Sequence, residues 1–336
     1  MPATPQRSDY IAAQVQAVHQ NLRLLETLVT SPIGLTTDLQ TLRESIPADG
    51  AAAERDRAAF QELARDRSAR ALGLTARRVV AETIELLGKL TPSDVGGLPP
   101  EWTGRAAKVL DRIEARLGAE VRQAKAAELR GLYVIVDPEQ TTGRPVQEVA
   151  AAALDGGAVA LQLRDKKSDK GAMLRTASAL ATLCAAKHAL FFANDHADIA
   201  RLSHADGLHV GQTDLPVAAA RQVLAPDQLV GTSNALFEEA LTSESGTADY
   251  VAVGRIYDTA SKSNTRPAGL ETLRRVKRAV GVPVVAIGGI NESNVVPVVQ
   301  AGADAVCVVS AVCGARDPKA AAARLSELIS GSRPRG

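Results

Sequence analysis

From residue 132 onward the chain repeats one unit, a short and nearly continuous apolar run followed by a longer Ala- and Leu-rich stretch. The runs are LYVIVD (132–137), AVALQLR (158–164), ALFFAND (189–195), GLHV (207–210), LVGTS (229–233), DYVAVG (249–254), VPVVAIGG (282–289) and DAVCVVS (304–310). Strands that are apolar at almost every position are buried on both faces, which is the condition of a parallel sheet covered by helices. Stretches such as PVQEVAAAALDGG and GLETLRRVKRAV supply the intervening helices. Eight such units within residues 130–330 predict a closed (β/α)8 TIM barrel, since an open doubly wound sheet commonly uses about five or six strands.

Residues 1–129 follow another rhythm. Apolar residues recur three and four apart, as at Leu22, Leu25 and Leu28, with Arg and Glu on the other faces, and no strand pattern is evident. Breakers fall at SPIG (31–34), IPADG (46–50) and TPSDVGGLPPEW (91–102). An all-α N-terminal domain over 1–129 is therefore expected ahead of a barrel domain over 130–330. Its amphipathic helices suit dimerisation or docking, so a homo-oligomer would form through them.

Charge narrows the partners. Lys and Arg total 39 against 38 Asp and Glu, which leaves no broad positive field for a nucleic acid or an anionic membrane, and any anion binding must be local. The start, MPATPQRSDY, has no apolar segment of the signal-peptide kind, and no run approaches the ~18 apolar residues of a membrane span. The cytoplasm is the expected compartment. Cys184, Cys307 and Cys313 form no CxxC pair and read as buried or half-buried thiols, neither a disulfide framework nor a zinc site.

In a barrel of this class chemistry sits at the C-terminal ends of the strands. The sequence gathers polar residues there: Gln162, Arg164 and Lys166 after the second strand, Asn194 and Asp195 after the third, Gln212 and Asp214 after the fourth, Ser233 and Asn234 on the fifth, and Thr259, Ser261 and Lys262 after the sixth. Three cations would then stand beside two carboxylates. Cations answer a polyanion, and paired carboxylates suit a hard ion such as Mg2+ that bridges to phosphates; a diphosphate held through Mg2+ satisfies both. The plainer alternatives are that an Asp behind a strand is a helix cap, a role Asp198 fits better than Asp195 does, and that Arg164 and Lys166 belong to a solvated loop. Gly288 and Gly289, followed by Ser310 on the next strand, mark a phosphomonoester site. His209 reads as a core or supporting residue, and His196 and His204 as surface residues.

LYVIVD, LQLRDK, ANDHADIA, ADGLHVGQTDLP, GTS, ADYVAVGRIYDTASK, VVAIGGI, AGADAVCVVSAV and DPKAAA stand in the order and spacing of the thiamine phosphate synthase family, which residues 130–330 resemble. The resemblance implies a transferase of thiamine biosynthesis whose small-molecule substrates are a hydroxymethylpyrimidine diphosphate and a thiazole phosphate. It implies that Gln162, Arg164, Lys166, Asn194, Ser233 and Lys262 contact the pyrimidine diphosphate, with Arg164, Ser233 and Lys262 catalytic. Asp195 and Asp214 would hold Mg2+, and Thr259, Ser261, Gly289, Val309 and Ser310 would receive the thiazole phosphate.

The chain departs from the family pattern at three positions. Arg255 and Asp258 in GRIYDT replace two prolines of the sixth loop, and Ala235 stands where GxSxH has a histidine. That histidine appears in the related thiazole tautomerase, so its absence, with both Asp residues kept, favours the synthase over a tautomerase; a non-catalytic ligand-binding barrel, whose altered sixth loop binds ligand but does not close, is a separate alternative. The helical half resembles more faintly the N-terminal region of two-domain synthases, for which a hydroxymethylpyrimidine phosphate kinase role is the further alternative; no GxxxxGK[ST] loop supports it.

Overall fold

A computed structural model describes residues 7–28, 35–44, 69–90, 101–258 and 267–333. The chain forms two compact units, Met1–Val121 and Arg122–Gly336. In the first, the described residues form helices only: α1 (Arg7–Leu28), α2 (Leu35–Glu44), α3 (Ala69–Gly88) and most of α4 (Trp102–Glu128). Leu22 and Leu25 of α1, Leu39 of α2, Val80 of α3 and Leu110 of α4 share one buried cluster, so the three-and-four spacing marks the face that packs. The breakers at 31–34 and 46–50, and residues 91–100, lie outside the described residues.

The second unit is the barrel. Strands β1 (Gly131–Val136), β2 (Ala158–Leu163), β3 (Leu190–Asn194), β4 (Gly207–Val210), β5 (Leu229–Asn234), β6 (Tyr250–Gly254), β7 (Val284–Ile287) and β8 (Ala305–Val308) pair in sequence order and close on themselves. Every pairing is parallel, including that of β8 with β1. Helices α5 (Val146–Asp155), α6 (Lys170–Ala186), α7 (Ala197–Leu202), α8 (Val217–Val223), α9 (Phe237–Ser245), α10 (Gly269–Ala279) and α11 (Val295–Gln300) follow the first seven strands; α12 (Ser310–Cys313) and α13 (Pro318–Gly331) follow the last. β7 is shorter than its apolar run because Pro283 lacks a ladder donor and Gly288 and Gly289 turn out of the strand at φ 103° and 68°.

Alternation along each strand makes two cores. Leu132, Val134, Leu161, Phe191, Leu208, Val230, Val251, Val284 and Val306 point outward to the helices, while Tyr133, Ile135, Ala160, Leu190, Phe192, Tyr250, Ala252, Val285 and Cys307 fill the interior. Gly231 makes the interior fit: a Cβ there would lie 1.9 Å from Cζ of Tyr250, so any side chain would expel that ring. The three cysteines are all buried free thiols.

The barrel floor repeats one device. Asp206, Asp249 and Asp304 directly precede β4, β6 and β8, and their carboxylates accept the N–H of Phe191 (3.1 Å), Val230 (2.7 Å) and Val284 (2.9 Å) on the preceding odd strands. Each acid meets a cation: Lys125 reaches Asp206 at 3.2 Å, Arg122 reaches Asp249 at 3.1 Å and Lys277 reaches Asp304 at 2.5 Å. Two of these cations come from the end of α4, whose Ala126, with Leu129 just beyond, closes the interior core from below. That segment was expected in the helical half, whereas it packs as part of the barrel unit.

Candidate active site

A cavity of about 730 Å³ opens at the C-terminal ends of the strands. Its wall takes in Gln162, Arg164, Asn194, Ser233, Gly289, Val309 and Ser310, seven of the residues expected to bind substrate. Lys166, Asp195 and Asp214 stand on the loops that leave β2, β3 and β4 at its mouth. Thr259, Ser261 and Lys262 lie outside the described residues.

The two acids come together. Asp195 and Asp214 lie within hydrogen-bonding reach of each other, and burial, then the Asp214 carboxylate, push the Asp195 carboxyl above its ordinary range; Lys166 and His196 pull it back. Lys166 Nζ lies 3.8 Å from Asp195 Oδ2. Asp195 holds a left-handed backbone at φ 63° with its N–H donating to the His209 carbonyl at 2.9 Å, a conformation Asp tolerates better than most residues. Asp214 is steadied by the Gly211 N–H at 2.7 Å. Among the described residues no group of three or more His, Cys, Asp or Glu side chains could hold a metal. Asp198, expected as a helix cap, lies instead in the first turn of α7, where it pairs with Lys170 at 2.9 Å.

Arg164 leaves β2 with its N–H on the Val136 carbonyl at 3.0 Å and its guanidinium on Asp137. Asp137 is buried at the end of β1 and also accepts the Glu139 N–H at 2.9 Å. It closes LYVIVD as Asp195 closes ALFFAND, and nothing local in the sequence signals the cation it holds.

Inside the barrel a row of polar groups joins opposite walls of the cavity. Ser233 Oγ meets His209 Nε2 at 2.9 Å, His209 Nδ1 meets the Tyr250 hydroxyl at 2.9 Å, and the two tyrosine hydroxyls lie 3.3 Å apart. Tyr133 donates to Gln162 Oε1 at 2.8 Å, and Gln162 Nε2 donates to Asn194 Oδ1 at 2.6 Å. Burial pushes both phenols upward, so each keeps its one proton. With Tyr133 committed to Gln162, Tyr250 donates to Tyr133 and accepts from His209 Nδ1, which therefore carries a hydrogen. His209 is thus a supporting residue. Replacing Tyr250 by Phe strands two buried partners at once, and urea unfolding is expected to show a loss of about 1–3 kcal/mol.

On the far side Gly288 and Gly289 carry the wall. A Cβ on Gly288 would sit 2.5 Å from the Arg255 Cβ, and one on Gly289 would sit 2.6 Å from the Asp258 carbonyl oxygen. The Asn294 amide braces the turn through the Gly289 carbonyl at 3.0 Å. Ser310, exposed, opens α12 on the neighbouring strand end.

A closed eight-stranded parallel barrel whose polar groups converge on a cavity at its C-terminal mouth defines a (β/α)8 enzyme. The family model for thiamine monophosphate synthase matches residues 132–312, and the chain belongs to that family. It is 44% identical over 203 residues to the thiamine-phosphate synthase of Moorella thermoacetica, covering 60% of this chain and 97% of that one. It is 43% identical over 200 residues to that of Methanocella arvoryzae, covering 59% and 94%. A solved structure of the thiamine phosphate pyrophosphorylase from Pyrococcus furiosus superposes with a TM-score of 0.58 at 37% identity, over 62% of this chain and 98% of that one. The chain is a transferase by these relations. The barrel alone spans nearly the whole of these relatives.

Proposed function

We propose that the cavity joins a hydroxymethylpyrimidine diphosphate to a thiazole phosphate, releasing pyrophosphate and giving thiamine phosphate. Family membership supports the reaction, and one observation supports the assignment of its parts: Arg164 from the end of β2 and the Gly288–Gly289 turn after β7 line one cavity, with Asp195 and Asp214 on the loops after β3 and β4. Arg164 and Lys166 bind the diphosphate, with Lys262 added on the family resemblance. Gln162, Asn194 and Ser233 hold the pyrimidine end. Gly289, Val309 and Ser310, joined by Thr259 and Ser261, receive the thiazole phosphate.

Asp195 and Asp214 fit a hard divalent cation such as Mg2+, because two carboxylates crowded together are relieved by positive charge and each keeps lone pairs to share. Bound there, the cation supplies neutralising charge to the departing diphosphate. The chain's own residues do the rest. Arg164 and Lys166 meet charge that grows as the C–O bond breaks and the diphosphate leaves with the electron pair, so they favour the transition state over the ground state. The aminopyrimidine spreads the positive charge left on its methylene, the thiazole nitrogen attacks with its lone pair, and no strong general base is required. The phosphate pocket holds that nitrogen in line. A balanced charge and the lack, among the described residues, of a helix long and apolar enough to cross a membrane support a cytoplasmic site of action, and the amphipathic helical unit an association role.

The test is a product assay of the full chain with both substrates and Mg2+, following thiamine phosphate and pyrophosphate together. Wild type is expected to form both in equal amounts, while Arg164→Ala and Lys166→Ala each lose about 100-fold in kcat/KM for the pyrimidine diphosphate. No product from wild type, or full rates in both variants, would overturn the reading.

A further inference from the structure

Two guanidinium groups line the described part of the cavity, Arg164 and Arg255, and their acid partners differ in kind. Asp137, which holds Arg164, has a side chain 4% exposed, while Asp258, which holds Arg255 through Nη2 at 2.9 Å, has one 94% exposed. A buried carboxylate cannot leave its cation without a large loss, so the Arg164 pair is permanent. An acid standing in water contributes little to its pair and can be exchanged for a better anion.

Arg255 is otherwise fixed in place. Its carbonyl accepts the N–H of Ala268 at 2.9 Å, and the next two residues are tied to β7 and its turn, Ile256 N to the Ile287 carbonyl at 2.9 Å and Tyr257 N to the Gly288 carbonyl at 3.0 Å. Ile256 is buried, and the Tyr257 hydroxyl donates to the Asn294 carbonyl at 3.3 Å. The Arg255 Cβ lies against Gly288, and its side chain is 18% exposed. A rigid backbone therefore delivers a mostly buried, cavity-lining guanidinium to the edge of the Gly288–Gly289 turn. The fork geometry of Arg suits a phosphate dianion, which can accept from two guanidinium N–H groups at once.

We propose that Arg255 determines specificity for the phosphorylated second substrate, its guanidinium exchanging the Asp258 carboxylate for a phosphomonoester at the Gly288–Gly289 turn. This rests on the reading that the thiazole phosphate lies there. Asp258 then holds the cation while the subsite is empty and competes with the incoming anion.

Initial rates of the full chain with Mg2+ test it, using the thiazole phosphate and the corresponding unphosphorylated alcohol. Arg255→Gln is expected to raise KM for the thiazole phosphate about 10- to 100-fold, leave KM for the pyrimidine diphosphate within about 2-fold, and narrow the preference for phosphate over alcohol by the same factor as the first change. Asp258→Asn is expected to lower KM for the thiazole phosphate about 2- to 5-fold, the size of a weak exposed pair. An unchanged KM in Arg255→Gln, or equal rises for both substrates, overturns the proposal. If thermal melting shows that Arg255→Gln does not fold, Asp258→Asn decides: a lower KM supports the exchange and an unchanged or higher one overturns it. A wild-type chain that forms no product sinks the functional reading instead, and calorimetric titration of thiazole phosphate onto wild type and Arg255→Gln then settles the inference by itself, equal affinities overturning it.

Discussion

Asp195→Asn should melt at a higher temperature than the metal-free wild type while losing about 100-fold or more in turnover. The two effects share a cause. Burial, and then the neighbouring Asp214, raise the Asp195 carboxyl above its ordinary range, so the folded protein prefers that carboxyl protonated. A raised carboxyl contributes stability that is fully present below its unfolded pKa and is lost as pH rises through the folded one. At neutral pH the metal-free fold therefore carries an ionised acid it would rather neutralise, and the amide removes that charge. Each kcal/mol recovered is worth about 2–4 °C in a domain of this size. As pH climbs from below the ordinary Asp range through the raised one, metal-free wild type should lose melting temperature relative to Asp195→Asn, the carboxyls common to both proteins cancelling in the difference. Added Mg2+ should raise the melting temperature of wild type at neutral pH and leave the variant unmoved. Equal Mg2+ shifts in both proteins would show that this pair is not where the ion binds.

Lys125→Met should be the most destabilising single change on the barrel floor, costing about 3–5 kcal/mol. The Lys125 side chain is 5% exposed and sits 3.2 Å from both Asp206 Oδ1 and Asp227 Oδ2. Removing it leaves two acids facing each other, one of which also holds the Phe191 N–H on β3. Paired replacement, with Asp227→Asn added, should recover part of the loss, because it is the uncompensated charge and not the missing pair that carries most of the cost. A chain begun at residue 130 deletes Arg122 and Lys125 together and exposes the underside of Tyr133, Leu190 and Leu229; it should unfold at markedly lower urea than one begun ahead of Arg122. Equal midpoints for the two would show that the end of α4 is dispensable to the barrel.

These two sites show what the amino-acid order reveals by itself. Asp195 was legible because it closes an apolar run, and Asp214 because it follows GLHV by four residues. The strand count was legible from the apolar runs themselves; two strands are clearly shorter than their runs, β7 because of Pro283 and two glycines whose backbone geometry outweighs their apolar neighbours, and β8 because Ser310 already opens a helix. Arg122 and Lys125 look like the solvent face of a long charged helix. Their partners lie 127 residues away at Asp249 and 102 away at Asp227, a separation that local pattern cannot bridge. Tyr133 and Tyr250 were hidden for a related reason: each is a large ring at an inward position, and only closure of the barrel brings β1, β4 and β6 together and turns packing residues into hydrogen-bonding ones. Asp137 was visible at a strand end but had no stated task until Arg164 was seen to rest on it.

The row from Ser233 to Asn194 gives the cavity an electrical direction. Every hydroxyl in it owns a single hydrogen, so the sense of the whole line is set once. At one end the Asn194 oxygen accepts from Gln162, and at the other the Ser233 hydroxyl meets the His209 ring. The two ends of the row differ in kind, and between them no member can turn its hydrogen round without its neighbours turning too.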